Sequence, residues 1–431
     1  RSSDLLIKDH LDFNDTFFFD KVEDFAIYGE PTEAKYATKL LGLTPSVEGR
    51  FTAIKNSILP LDLNKSNNFP SNVVVLSEII RLQPHLLDDN STDIVSYLIK
   101  EVLLVNQVVG DSKKEVNWVD DAKLNTKEYA PLSAKLFSLK LFTNKLRSIA
   151  SDVETDPMAK AFTEKTVKLF FYLIASGGEL ISEYNKEHYP TPSNYQTKLR
   201  CCAGLQVLKL AKVPSFNKFI KPEDVGKLIN LVEDESLEVR KAFVDKLKDY
   251  IASEFISIKF LPLVFFMAYE PDVELKSNTK TWINFTFNKE SFKRGTFFER
   301  ALPRLIHSIA HHPDVVESIN GNSSNYLNGL TTAIDYIIFY LDSIANEENI
   351  SLLYYLAGRI KQYVDGVKDD EEEGEDDGDD GKEPEGDETC HDKSCNIYTI
   401  SELAQLILGE LKEQKNWNLP VYPGKLNLPS D

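Results

Sequence analysis

Residues 225–251 read VGKLINLVEDESLEVRKAFVDKLKDYI, and the apolar spacing in this stretch decides the fold. In its second half Val239, Phe243, Leu247, Tyr250 and Ile251 fall at i, i+4, i+8, i+11 and i+12, the spacing of one helix face. Glu238, Lys241, Asp245 and Lys248 share the opposite, polar face. Ser236 stands where an N-cap belongs, one turn ahead of Val239 and Arg240. The first half supplies Leu228, Ile229, Leu231 and Val232 as a second apolar face. Two short antiparallel helices joined by an acidic turn at Asp234 are expected.

Outward from this stretch the pattern recurs loosely. GEPTEAKYATKLLGL spans 29–43, and SNVVVLSEIIRLQ at 71–83 is followed by STDIVSYLIKEVLLV at 91–105. FLPLVFFMAYEPDVELKSNTKTWINF fills 260–285, and ALPRLIHSIAHHPDV at 301–315 precedes AIDYIIFYLDSIA at 333–345. A spacing of about 40 residues is that of HEAT-type repeats, whose helix pairs bury their apolar faces only against neighbouring pairs. There is no sustained strand-type alternation. The predicted fold class is all-α, a HEAT-repeat α-solenoid of roughly seven or eight antiparallel helix pairs. In that frame Asp234, Val239, Arg240 and Leu247 are structural repeat residues. Arg240 and its local carboxylates form a ladder between repeats, not a ligand site.

The expected organisation is a repeat array over 1–368, an acidic disordered insert over 369–396, a further array helix over 397–415 and an extended segment over 416–431. Apolar periodicity resumes at Ile397 (IYTISELAQLILGEL), and NWNLPVYPGKLNLPSD at the end is punctuated by proline. Between Asp369 and Asp392 there are 15 Asp/Glu and one Lys, a net of −14 within a total of −19. Such a run buries no apolar area and repels itself. The other 407 residues carry only −5, so the acidity is local.

With 42% hydrophobic and 27% charged residues the chain has ample material for a core. Its longest clean apolar stretch, Phe260 to Tyr269, is half of the ~20 residues a membrane span needs, and no membrane contact is expected. The chain starts at Arg1 without a signal-peptide pattern and reads as a fragment. Four cysteines give no disulfide framework, and adjacent Cys201 and Cys202 cannot readily bridge each other within a helix. The sequons at Asn14, Asn90, Asn284 and Asn349 read as chance matches in this context. A reducing compartment, nuclear or cytosolic, is expected.

Catalytic signatures are weak. His307 and His311 share a helix face at metal-ligand spacing, but Ser308 stands where a metalloprotease motif needs Glu. Cys390, His391 and Cys395 lack the second cysteine pair of a zinc site. Pro423-Gly424-Lys425 is followed by Leu426, without the flanking residues of a phosphate-binding loop, and no nucleophile elbow occurs. Neither catalysis nor a cofactor is expected. Cations concentrate between 276 and 304, at Lys276, Lys280, Lys289, Lys293, Arg294, Arg300 and Arg304, among Trp282, Phe285, Phe287 and Phe292. They form either an ordinary solvated face or a patch for DNA or an acidic partner, with Lys289 to Arg300 expected to be exposed beside a turn near Gly295.

Residues 194–251 resemble the sister chromatid cohesion family called Pds-five (precocious dissociation of sisters). The family's run RLRxAAGxxxxKLA matches Leu199-Arg200 to Ala211, its ITPEQ matches Ile220-Lys221-Pro222-Glu223, and its acidic-to-Val-Arg element matches Asp234-Glu235 to Arg240. Residues 29–41, 93–106, 116–124 and 260–274 are similar to further family segments in the same order. Residues 349–365 and 419–431 look like its C-terminal region of fungal type, while the acidic insert departs from the metazoan pattern. The resemblance implies a HEAT-repeat regulator of cohesin in the nucleus, on chromatin. It implies contact with the kleisin subunit, with the wings-apart-like release factor and with the cohesin ATPase subunits through the complex. It implies no residue-level kleisin contact, and it implies that the chain begins well inside the family's full length. The alternative is a general HEAT-repeat adaptor, such as a nuclear transport receptor or a phosphatase scaffold.

Deleting 369–392 is expected to leave helicity and thermal stability nearly unchanged, because a charged low-complexity run buries almost nothing. Weak DNA binding at low salt should rise once its −14 is gone. Circular dichroism melts and a binding titration check this, and loss of the last helices on deletion would show the run to be structural.

Overall fold

Every stacked helix leaves its first N–H and last C=O groups without intrahelical partners, and the way these ends are satisfied organises the structure. The computed structural model describes residues 16–64, 66, 68–106, 118–181, 189–319, 323–363 and 393–426. The acidic run at 369–392 lies outside the described residues. The chain divides into two units, Arg1–Ile220 and Lys221–Asp431, a boundary that periodicity did not mark. Among the described residues regular structure is helical, without a strand. Both units are built by helix packed on helix, the all-α HEAT-repeat solenoid architecture expected from the repeats.

In the first unit α1 (Thr16–Tyr28), α2 (Pro31–Leu41), α3 (Val47–Ile58), α4 (Phe69–Leu82), α5 (Ser91–Tyr97), α6 (Ala130–Ser148), α7 (Pro157–Ala175) and α8 (Ser193–Ala211) follow in order. Helices α2, α4, α6 and α8 pack one on the next, with α1 against α2 and α7 against α8. Helix α4 is apolar nearly all round, and it is central: Phe69, Val73, Val75, Leu76 and Ile79 are fully enclosed. Helix α5 runs on as a π turn, Leu98–Leu103. Its end is closed by a distant cation, for Lys135 Nζ donates to the carbonyls of Val102, Leu103 and Val105 at 2.7, 2.7 and 2.9 Å. Helix α7 is capped locally: Pro157 opens it, and the Asp156 carboxylate accepts from the N–H groups of Met158 and Ala159 at 2.9 and 3.3 Å.

In the second unit α9 (Pro222–Lys227) and α10 (Ile229–Val232) are two short pieces broken at Leu228, and α11 (Leu237–Ala252) is the deciding helix. Val239, Phe243, Leu247 and Ile251 are buried and Tyr250 is half-buried, while Glu238, Lys241 and Asp245 are exposed. Two details differ from expectation. Lys248 is buried, its stem laid along apolar surface and its Nζ 2.9 Å from Asp245. Ser236 holds the N-cap position without capping, because its hydroxyl donates instead to the charged Glu238 carboxylate at 2.8 Å.

The apolar run that suggested an ordinary helix winds as a 3-10 helix, Ile258–Tyr269. Pro262 inside it has no N–H to give, and its ring crowds the carbonyl four residues back. A 3-10 run of this length is uncommon, and packing from α11 and from two later helices holds it. Helices α12 (Val273–Phe287), α13 (Glu290–Gly295), α14 (Leu302–Ala310), α15 (Pro313–Ile319), α16 (Ser323–Ile344), α17 (Ile350–Arg359) and α18 (Lys393–Lys415) complete the unit. Those two later helices are α14 and α16. Helix α18 lies on α14, α16 and α17. It begins four residues ahead of Ile397, since its first turn is polar and invisible to apolar periodicity. Residues 417–426 have no regular secondary structure. Among the described residues no helix is long and apolar enough to cross a membrane.

Arg240 joins α11 to the end of the 3-10 helix. Its Nε and Nη2 donate to the two Glu270 oxygens at 2.7 and 2.9 Å, and Nη1 donates to the carbonyls of Asp234 and Glu235 at 2.6 and 3.1 Å. Glu270 also accepts the N–H of Asp272 at 2.8 Å, and its side chain is only 1% exposed. One planar guanidinium thus closes the acidic turn and ties it to the next repeat.

Leu247→Ala should destabilise the second unit by ~2–5 kcal/mol, since the side chain is fully enclosed. An unchanged denaturation midpoint would show that its burial contributes nothing. Arg240→Met should cost ~3–5 kcal/mol by stranding Glu270, whereas Arg240→Met with Glu270→Leu should lose much less, because an apolar pair replaces a desolvated ionic one. A double-mutant cycle by denaturant unfolding measures the difference, and equal losses would mean that the pair is not coupled.

Candidate functional site

Beside the Arg240 clamp a groove of about 550 Å³ opens between the acidic turn, the 3-10 helix and α16. Glu233, at the end of α10, organises it. One of its oxygens accepts the Tyr336 hydroxyl from α16 in a short hydrogen bond, and the other lies 2.9 Å from His312 Nε2, between α14 and α15. Against a carboxylate, Nε2 is the nitrogen that carries the proton. The His312 ring is stacked on Phe266 at 5.8 Å, and Tyr336 lies 4.8 Å from the same phenyl. Tyr269 adds its hydroxyl to Asp335 at 2.7 Å. Burial, with the Glu233 charge next to it, pushes the Tyr336 hydroxyl far above its ordinary range, and burial with the Asp335 hydrogen bond pushes Tyr269 up to about 12. Both phenols are therefore donors at neutral pH, each directed at a carboxylate.

The groove presents a fixed set of aromatic faces and charges. The Tyr336 and Tyr269 hydroxyls are engaged with Glu233 and Asp335, and Glu270 with Arg240. The open rim carries the exposed carboxylates of Glu235 and Asp314 and the half-exposed Tyr269 ring. Sequence reasoning named Arg240 and Asp234 but missed Glu233, Glu270, His312 and Tyr336. The available signals were His312 directly before Pro313 and the carboxylate Glu270 directly before Pro271, both too common to single out.

The basic residues of 276–304 are divided by the structure. Lys276 Nζ donates to the Ala268 carbonyl at 2.5 Å and Lys289 Nζ to the Ala252 carbonyl at 2.7 Å, so each closes a helix end. Lys280 is exposed over the Phe339 ring at 5.1 Å. Lys293 and Arg294 are exposed on α13, Arg294 paired with Glu290 at 2.7 Å. Arg300 and Arg304 are half-buried. The expectation that Lys289 and Arg300 are exposed is corrected: the first bends back to a carbonyl, and the second lies in the packed turn leading into α14. Phe285 is 69% exposed, whereas Phe292 is core.

His307 and His311 sit with ring centroids 4.5 Å apart at the end of α14. Among the described residues no group of three or more His, Cys, Asp or Glu side chains is placed to hold a metal ion. Cys390, His391 and the Cys395 side chain fall outside what is described. Cys201 and Cys202 are buried, unbridged thiols on α8.

Comparison with known proteins gives this geometry a family. Residues 6–431 match the family described as sister chromatid cohesion protein PDS5. The chain is 63% identical over 428 residues to sister chromatid cohesion protein PDS5 of Saccharomyces cerevisiae, covering 99% of this chain and 33% of that protein. It is 25% identical over 407 residues to the Schizosaccharomyces pombe protein pds5, covering 94% of this chain and 30% of that one. It is 24% identical over 302 residues to PDS5 homolog B of Mus musculus, covering 67% and 20%. The chain therefore spans a third or less of the length of these relatives. With nearly every residue inside the family match and helix packed on helix among the described residues, the chain belongs to the sister chromatid cohesion protein PDS5 family.

Proposed function

We propose that this chain is part of a non-enzymatic regulatory scaffold of cohesin that binds the kleisin subunit and controls maintenance and release of cohesin on chromatin in the nucleus. The observation that carries the reading is the family match over almost the whole chain, and the names of the relatives supply sister chromatid cohesion. The helical units support it, because stacked repeats present long ridges suited to extended partner segments. A scaffold alters opening of a ring only by binding one state more tightly than the other. The kleisin subunit provides the main hold, and the wings-apart-like factor and the ATPase subunits join through the complex. Exposed Lys280, Lys293 and Arg294 add weak contact with DNA, while Lys276 and Lys289 serve mainly as helix-end caps.

Purified chain should retain a kleisin fragment in a pull-down across a salt series, since an apolar ridge is little affected by screening within ~10 Å at 0.1 M. DNA binding should fall steeply with salt and should fall further in Lys280→Glu/Lys293→Glu/Arg294→Glu. Absence of kleisin retention at every salt concentration would overturn the scaffold reading for this part of the protein. Equal DNA affinity of wild type and triple variant would leave the 276–304 cations as a solvated face.

A further inference from the structure

The first unit assembles a second basic surface out of residues far apart in the chain. Along the stack of α2, α4, α6 and α8, each helix brings polar residues at three- or four-residue spacing to one common side. They are Lys35 and Lys39 on α2, Glu78 and Arg81 on α4, Lys140, Asn144 and Arg147 on α6, and Gln206 and Lys209 on α8. Contacts tie the side together. Lys209 Nζ donates to Asn144 Oδ1 at 3.0 Å, Asn144 Nδ2 donates to Ser77 Oγ on α4 at 2.9 Å, and Arg81 Nε donates to Glu78 at 2.9 Å. The charges acting on Lys35 are Lys39, Glu78, Lys140 and Arg81, and those acting on Lys209 are Arg147, Glu78, Lys35 and Lys140. Around Lys35 and Lys209 cations thus outnumber carboxylates.

The surface is also partly desolvated. Burial first, and then neighbouring cations, lower Lys35 and bring Lys209 down to about 8. Beneath the cations Gln206 is buried, 6% exposed. Half-buried ammonium groups set on successive helices suit a slender anionic ligand that follows the row, and they suit a rigid duplex poorly. Stacked helices lie ~8–10 Å apart. A polyproline-type extended chain advances ~3.1 Å per residue with three residues per turn, so every third side chain returns to the same side after ~9 Å.

We propose that this ridge is a docking surface for an extended acidic peptide whose carboxylates, at about every third residue, meet successive helices. The inference uses only the first unit and does not rest on the cohesin reading.

The test is fluorescence anisotropy on the intact chain with three probes: a labelled Pro/Ser peptide carrying Glu at every third position, its Gln-substituted twin, and a short DNA duplex. Wild type should bind the Glu peptide and not the twin. Lys35→Glu/Lys140→Glu should raise the Kd roughly tenfold or more, as expected for charge-assisted contacts. Lys241→Glu/Lys415→Glu, at two exposed cations of the second unit, should leave it unchanged. Circular dichroism checks that each variant folds. If the double reversal does not fold, Lys35→Gln/Lys140→Gln, which removes charge without reversing it, should still weaken the Glu peptide severalfold. Equal affinity of wild type and first-unit variants, equal binding of the Gln twin, or an equal loss in the second-unit variant overturns the proposal. So does a duplex that displaces the peptide more effectively than unlabelled peptide does, which would assign the ridge to nucleic acid.

Discussion

A helix pair with one apolar stripe per helix has no means of burying it alone, so each pair is stable only against its neighbours. Everything else in these units follows from that constraint. Stacking encloses α4 and α11, and it also encloses helix ends whose N–H and C=O groups must find partners, at ~1–3 kcal/mol for each one left buried without. The answers are long-range cations and carboxylates: Lys135 on the carbonyls at the end of the π turn, Lys289 on the end of α11, and Arg240 on the carbonyls of the acidic turn. Glu270 then neutralises Arg240, and the polar groups of one repeat become the fastening of the next.

What the sequence made legible was everything governed by local period. The buried face of α11 was readable from Val239 to Ile251 because four of its five apolar positions point inward, and the all-α architecture follows from the same signal repeated. What it hid depends on pairing across distance. Glu270 lies 30 residues from Arg240, and His312 and Tyr336 lie 79 and 103 residues from Glu233. No local pattern names such partners, and carboxylates are frequent on every exposed helix face. Lys248 was misplaced for a related reason: a charged head was read as an exposed residue, although a long stem can be buried while the head reaches Asp245. Pro262 was visible, yet its effect on the apolar run appears only where packing holds a 3-10 helix that would not persist alone.

The two basic surfaces show the same limit from opposite sides. Cations between 276 and 304 are dense in sequence, but Lys276 and Lys289 turn inward to carbonyls and Arg294 is matched by Glu290. Density along the chain therefore overstated the available charge. In the first unit Lys35, Arg81, Lys140 and Lys209 are too widely separated to register as a cluster, and only the stacking order of α2, α4, α6 and α8 collects them. The net charge of −19 conceals this further, because one acidic run carries most of it.

Like charges held together at half-buried positions raise the free energy of the folded state, and the penalty grows as water is excluded: a pair 4 Å apart interacts by ~1 kcal/mol in water and ~4 kcal/mol near a protein surface. A ligand carboxylate relieves several of these repulsions at once, so its binding is favoured beyond a single ion pair. Glu78 sets the limit on which anions gain. It sits in the second helix of the row, almost fully buried and fixed by Arg81. A ligand charged at every position would have to place a negative group against it, whereas one with spaced charges can set a neutral residue there. Discrimination of this kind needs a repulsive element as well as attractive ones, and in this row Glu78 is that element, turning a strip of positive charge into a surface that reads the spacing of its partner's charges.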